Sequence, residues 1–135
     1  MRRTCYQQIG LFDESMSLSE DIDLLFRLLN SNVGYVSIPS VLIKIHIHPA
    51  PRLSRLPNYI RHAECQQHVI DKNARFLNQH QDLWLHYHDC LASTYFGAHN
   101  KQRARKIMCA MLKKKPFRLH TWEQLIRFEL VHSLR

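Results

Sequence analysis

Five carboxylates fall between positions 13 and 23: Asp13, Glu14, Glu20, Asp21 and Asp23, in a chain whose formal net charge is +8. An acidic island in a basic protein has two physical explanations. A helix N-terminus favours negative charge, because its unpaired N–H groups carry the positive end of the helix dipole. Alternatively, a carboxylate held beside a reacting hydroxyl can take its proton as a general base. Other residues of chemical type are thinner on the ground. His46 and His48 alternate along one apolar-polar stretch, and His86 and Cys90 lie one helical turn apart. The latter pair tempts a metal reading, but two ligands without a partner cluster do not make a zinc site.

The elements that must position these groups are legible in part. Ser19 reads as an N-cap, with Glu20, Asp21 and Asp23 in the first turn and Leu24, Leu25, Leu28 and Leu29 as the apolar face of a helix over 19–31. Asp23 stands four residues before Arg27, the favourable orientation for an ion pair along a helix. Asn32-Val33-Gly34 supplies a stop. Residues 1–12 lack a clear period and suggest a short strand or a turn of helix leading into a loop. Tyr35–Ile38 reads as a short strand closed by Pro39. Val41–His48 reads as a second strand, with Val41, Ile43, Ile45 and Ile47 on one face and Leu42, Lys44, His46 and His48 on the other.

Beyond Pro57 the pattern turns helical. The spacing predicts helices over 58–79, 83–96, 101–114 and 121–133, with Gly97 and Pro116 as breaks. Residues 91–116 have the rhythm of a tetratricopeptide-type hairpin, although one such unit does not make a solenoid. Trp84, Tyr87, Tyr95 and Trp122 read as core or groove aromatics.

Composition sets the outer limits. A chain of 135 residues with 45% hydrophobic and 22% charged residues is an ordinary globular domain rather than a disordered one. No apolar run reaches the length of a membrane span, and no apolar stretch follows the basic start. Cys5, Cys65, Cys90 and Cys109 are scattered without a C-x-x-C pair, which suits reduced thiols in a cytoplasmic protein. The positive charge lies in residues 31–135, so nucleic acid, anionic lipid and phosphorylated ligands are all open as partners on charge alone.

Taken in order, several short pieces resemble the second half of the catalytic domain of family 2 glycosyltransferases, which have the GT-A fold. They are Arg2-Arg3 with Ile9-Gly10-Leu11-Phe12-Asp13-Glu14, then Ser19-Glu20-Asp21-Ile22-Asp23-Leu24 with Arg27-Leu28. Gly34-Tyr35, Ile38-Pro39-Ser40-Val41-Leu42, His48-Pro49 and Leu53-Ser54 follow. Their joint order carries the resemblance, which covers roughly two-fifths of the chain. The helical remainder is similar to C-terminal extensions of bacterial members.

The resemblance implies a fold and a chemistry. The fold is an α/β fragment, a helix plus two short strands of a GT-A-type domain over residues 1–55, followed by a mainly α-helical extension over 56–135, mostly α overall. The reaction is inverting transfer of a sugar from a nucleotide-sugar donor to a hydroxyl of a glycan or other acceptor, in the setting of bacterial polysaccharide biosynthesis. Asp21, paired with Glu20, matches the catalytic base. Asp13 and Glu14 match a loop that accepts hydrogen bonds from sugar hydroxyls. His48 matches a residue that helps hold a divalent metal, Mg²⁺ or Mn²⁺, or the diphosphate, and His46 is the reserve. Each has a plainer alternative: a charged helix start for Glu20-Asp21, a polar turn for Asp13-Glu14, a solvent-facing strand end for His48. Arg52 and Arg55 could reach a diphosphate or simply be solvated.

The nucleotide-binding half and its Asp-x-Asp motif, which precede this region in the family, have no counterpart here. The expectation is a truncated or split enzyme, incomplete or inactive alone, with most metal ligands elsewhere. Its expected location is cytoplasmic, with peripheral contact at the inner face of the membrane as an option and nucleic acid disfavoured. The rival reading is a non-enzymatic helical adaptor that binds a polyanion or acidic partner through residues 97–118.

Overall fold

The computed structural model describes residues 2–31, 33–46 and 58–133. Among the described residues seven helices appear in order: α1 (Arg3–Ile9), α2 (Glu20–Leu29), α3 (Tyr59–Lys72), α4 (Ala74–Gln79), α5 (Gln81–Gly97), α6 (Lys101–Lys114) and α7 (Leu119–Ser133). Among the described residues no helix is long and apolar enough to cross a membrane.

The two expected strands are not found among the described residues. Residues 35–46 form neither a strand nor a helix, so the α/β fragment is corrected to an all-helical arrangement among the described residues. The physical reason is that a strand exists only as part of a ladder. The alternation over Val41–Ile45 fits a pleated surface, but among the described residues no neighbouring strand lies beside it, and Val41 is 94% exposed. Ile47 and His48 lie outside the described residues. The mostly helical character of the remainder holds.

The core is built chiefly from α3, α4, α5 and α6. Ala63, Val69 and Ile70 of α3, Phe76 and Leu77 of α4, Trp84, Leu85, Leu91 and Tyr95 of α5, and Ala104 and Met111 of α6 bury one another. The expected long helix over 58–79 bends at Asn73, where the backbone leaves helical dihedrals (φ −106°, ψ 20°). The Asn73 side chain donates both to the Val69 carbonyl at 2.9 Å and to Asp23 at 3.4 Å, which ties this break to α2. Gly97 does not end α5 as a left-handed cap; His99 holds that conformation, at φ 58°. Gly97 instead makes room for the Tyr59 ring, whose atoms would sit 2.9 Å from an added Cβ.

The N-terminal piece docks on this helical body through α2. Phe26 is buried against Phe76, with ring centroids 5.9 Å apart, and meets Tyr87 edge-on at 4.7 Å. Met16 joins the same core. α1 packs against α2, and Arg27 ties the two together: it donates through Nη1 to the Ile9 carbonyl and through Nη2 to the Leu11 carbonyl at 2.7 Å.

Candidate functional site: the cavity at the start of α2

The five carboxylates of the acidic island divide into two groups. Asp23 is fully buried and accepts from Arg27 Nε at 2.9 Å, Lys72 Nζ at 3.1 Å and Asn73 Nδ2. Asp13 accepts from Lys72 Nζ at 2.8 Å and from both the hydroxyl and the amide of Ser15, at 2.6 and 3.0 Å. These donors, Lys72 first, hold the Asp13 carboxyl well below the usual carboxylate range, and Asp13 in turn raises Lys72 above its ordinary value. Asp13 and Asp23 therefore share one ammonium, and both are engaged in fastening the N-terminal piece. Glu14, beside them, is exposed.

Glu20 and Asp21 stand apart from this network. Among the described residues neither takes part in an ion pair, and both line a cavity of about 590 Å³. Ser19, expected as a side-chain cap, takes a left-handed backbone (φ 63°) and makes no capping hydrogen bond through its hydroxyl. Asp21 does part of that work, since its Oδ1 accepts from the Ile22 amide at 2.8 Å. The turn at Ser19 thus places two consecutive carboxylates at the rim, where α2 begins.

The opposite wall comes from the helical body. His62 and Gln66 of α3 stand one turn apart, and His86, Tyr87 and Cys90 come from α5. His86 Nε2 lies 3.8 Å from Cys90 Sγ. Burial lowers the His62 pKa and so favours the neutral imidazole. Burial raises the Tyr87 phenol and the Cys90 thiol, with the negative charge of Asp21 adding to the effect on Tyr87. Gln66 Oε1 is buried with no hydrogen-bond partner among the described residues, an acceptor in want of a donor. Among the described residues the lining contains no lysine and no arginine.

The chemistry of such a cavity follows from its two sides. One wall is anionic and accepts protons or hydrogen bonds; the other offers uncharged hydrogen-bonding groups and an aromatic ring. That combination suits a polyhydroxylated or amine-bearing ligand and repels a phosphate. A divalent metal fits poorly. No three His, Cys, Asp or Glu side chains among the described residues are grouped to hold one, and His48 lies outside them. His46 is described, lies in the segment without regular structure, and is not part of the cavity lining.

Of the residues singled out by sequence, Glu20 and Asp21 meet in one cavity, whereas Asp13 and Glu14 are not part of its lining. His62 and Gln66 carry no sequence motif; only their shared helical stripe, facing the start of α2, brings them to the site. His86 and Cys90 do come together, as cavity wall rather than as a metal pair. No family model, no curated protein and no solved structure matches this chain.

Proposed function

We propose that this chain carries the acceptor side of an inverting glycosyltransferase, with Asp21 as the base. The observation that carries the reading is the cavity itself: two carboxylates from the Ser19–Leu24 motif face uncharged hydrogen-bonding groups, and among the described residues no cation lines the space. A nucleoside diphosphate needs cations or amide donors; a sugar acceptor needs carboxylate and amide acceptors and an aromatic flank. The ordered motifs from Ile9 to Leu28 point the same way. The sheet of a GT-A domain is no part of this reading.

In the reaction, the Asp21 carboxylate takes the proton of the acceptor hydroxyl as its oxygen attacks the anomeric carbon of the donor. The bond from that carbon to the diphosphate oxygen breaks, the electron pair leaves with the nucleoside diphosphate, and the configuration inverts. Glu20 and Gln66 accept from neighbouring hydroxyls and orient the sugar, and His62, kept neutral, completes the ring of partners. The resemblance attaches Mg²⁺ or Mn²⁺ to this chemistry; the described residues offer it no site, and no step here runs through it. The cytoplasmic setting and the bacterial polysaccharide context belong to the same proposal.

The test joins these 135 residues to a nucleotide-binding half of a family 2 enzyme and follows release of nucleoside diphosphate with a panel of acceptors. Asp21→Asn lowers the rate by about 10²- to 10⁴-fold without loss of folding. Full turnover by Asp21→Asn would overturn the assignment of the base.

A further inference from the structure

Helix α7 is apolar on two sides. Its inner side closes the core: Thr121 is buried, and Phe128 stacks on Phe96 with ring centroids 3.7 Å apart. On the opposite side Leu119, Trp122 and Ile126, at helical spacing, are 83%, 45% and 54% exposed. Phe117, in the turn before α7, is 93% exposed. A helix with a second apolar face faces a second apolar environment.

The turn that presents this ridge is fixed. Arg118 pairs with Asp89 of α5 at 2.6 Å and donates to the Thr121 hydroxyl at 2.8 Å, while Trp122 Nε1 donates to the Pro116 carbonyl at 2.8 Å. The indole therefore has its polar edge satisfied at the turn and its ring body outward, the arrangement of an interfacial tryptophan. The chain leading into the ridge is strongly basic: residues 101–118 contain eight lysines and arginines and no acid, set against Glu123 on α7 and Asp82, which pairs with Lys115 at 3.5 Å. A cavity of about 530 Å³ opens at the same turn, lined in part by Lys114, Lys115, Phe117 and Arg118 together with Asp82, beside the apolar ridge.

We propose that the α6–α7 turn and the outer face of α7 form a docking surface for an anionic lipid bilayer. Phe117, Leu119, Trp122 and Ile126 enter the acyl boundary, and the Lys113–Lys115 run faces the lipid phosphates. A second copy of the chain is disfavoured by charge, since a two-fold contact at this ridge sets one lysine run against the other. Nucleic acid would use the lysines but leave the apolar ridge without a partner. The proposal holds whatever the cavity at α2 binds.

The test is sedimentation of the intact chain with vesicles of phosphatidylcholine alone or with one-third phosphatidylglycerol, read together with tryptophan emission. Binding to the anionic vesicles, a blue shift from Trp122, and a weakening of about tenfold or more in both Phe117→Ser/Ile126→Ser and Lys113→Glu are the expected results. Circular dichroism checks that both variants keep their helix content. Absence of sedimentation, equal binding to neutral vesicles, or undiminished binding by Phe117→Ser/Ile126→Ser each overturns the proposal. So does a chain that instead dimerises through these residues, or binds a short DNA duplex as tightly as the vesicles.

Discussion

Asp23 and Lys72 are 49 residues apart in sequence and 3.1 Å apart in space. Through that contact the start of the chain, which supplies the two carboxylates of the cavity, is anchored to the end of α3, which supplies part of the opposite wall. Lys72 also reaches Asp13, and Arg27 reaches Asp23 and the carbonyls of Ile9 and Leu11. Two cations thus organise the acidic island and leave Glu20 and Asp21 to the cavity.

Removing the buried anchor has a large effect. Asp23→Ala leaves Arg27 and Lys72 facing one another without their shared carboxylate and costs about 3 kcal/mol, both cations being partly solvated. Asp21→Asn, on an exposed residue, changes stability by no more than about 0.5 kcal/mol. Urea denaturation of the two variants separates the structural acid from the one proposed as the base.

Gly10 bends the chain between α1 and the Leu11–Glu14 loop at φ 83° and ψ 171°, a region open in practice only to glycine. An added Cβ would also stand 3.1 Å from Arg27 Nη1. Gly10→Ala therefore costs about 1–3 kcal/mol, and thermal unfolding should show it.

Phe26 is the main apolar plug between α2 and the helical body, almost completely buried against Phe76 and Tyr87. Phe26→Ala costs about 3–5 kcal/mol. Because Tyr87 lines the cavity, the same variant loosens the site, and hydrogen exchange at residues 19–29 accelerates beyond the global effect.

Acid weakens the fold through two histidines. Burial lowers the pKa of His62 and, as the largest influence, that of His88, which stacks on Trp84; both fall below the ordinary 6.5. Below that value the unfolded chain takes up protons that the folded chain refuses, so stability is full above about pH 6.5 and falls as the pH drops through the folded values. Melting temperature declines from pH 7.5 to 5, and His62→Gln flattens part of the decline.

What the sequence disclosed depended on how local the physics was. Helix α2 was legible because the acids of the first turn and the apolar spacing are local signals, and Arg27 was legible as the partner of Asp23. The buried face of α2 was legible only in part, since Leu25 is 42% exposed, Phe26 is the buried residue instead, and the Ser19 side chain makes no cap. Helix α1 was not, since residues 3–9 lack an apolar period. The alternation over Val41–Ile45 states what a strand would bury but not whether a neighbour exists, and among the described residues none does. The joint use of Lys72 by Asp13 and Asp23, and the arrival of His62 and Gln66 opposite Asp21, depend on how α2 packs on α3 and α5. No spacing within either segment contains that information.

The proposed ligand of the cavity between the start of α2 and helices α3 and α5 is a neutral sugar. The direct measurement is a titration of the isotope-labelled chain with methyl glycosides of glucose, galactose, mannose and N-acetylglucosamine, followed by amide NMR. At least one glycoside should shift the signals of Glu20, Asp21, Ile22, His62, Gln66 and Tyr87 in a saturable way, and Gln66→Leu should weaken that response with the fold intact. If no glycoside moves these signals, or if the shifts map elsewhere on the helices, the account of this site is wrong.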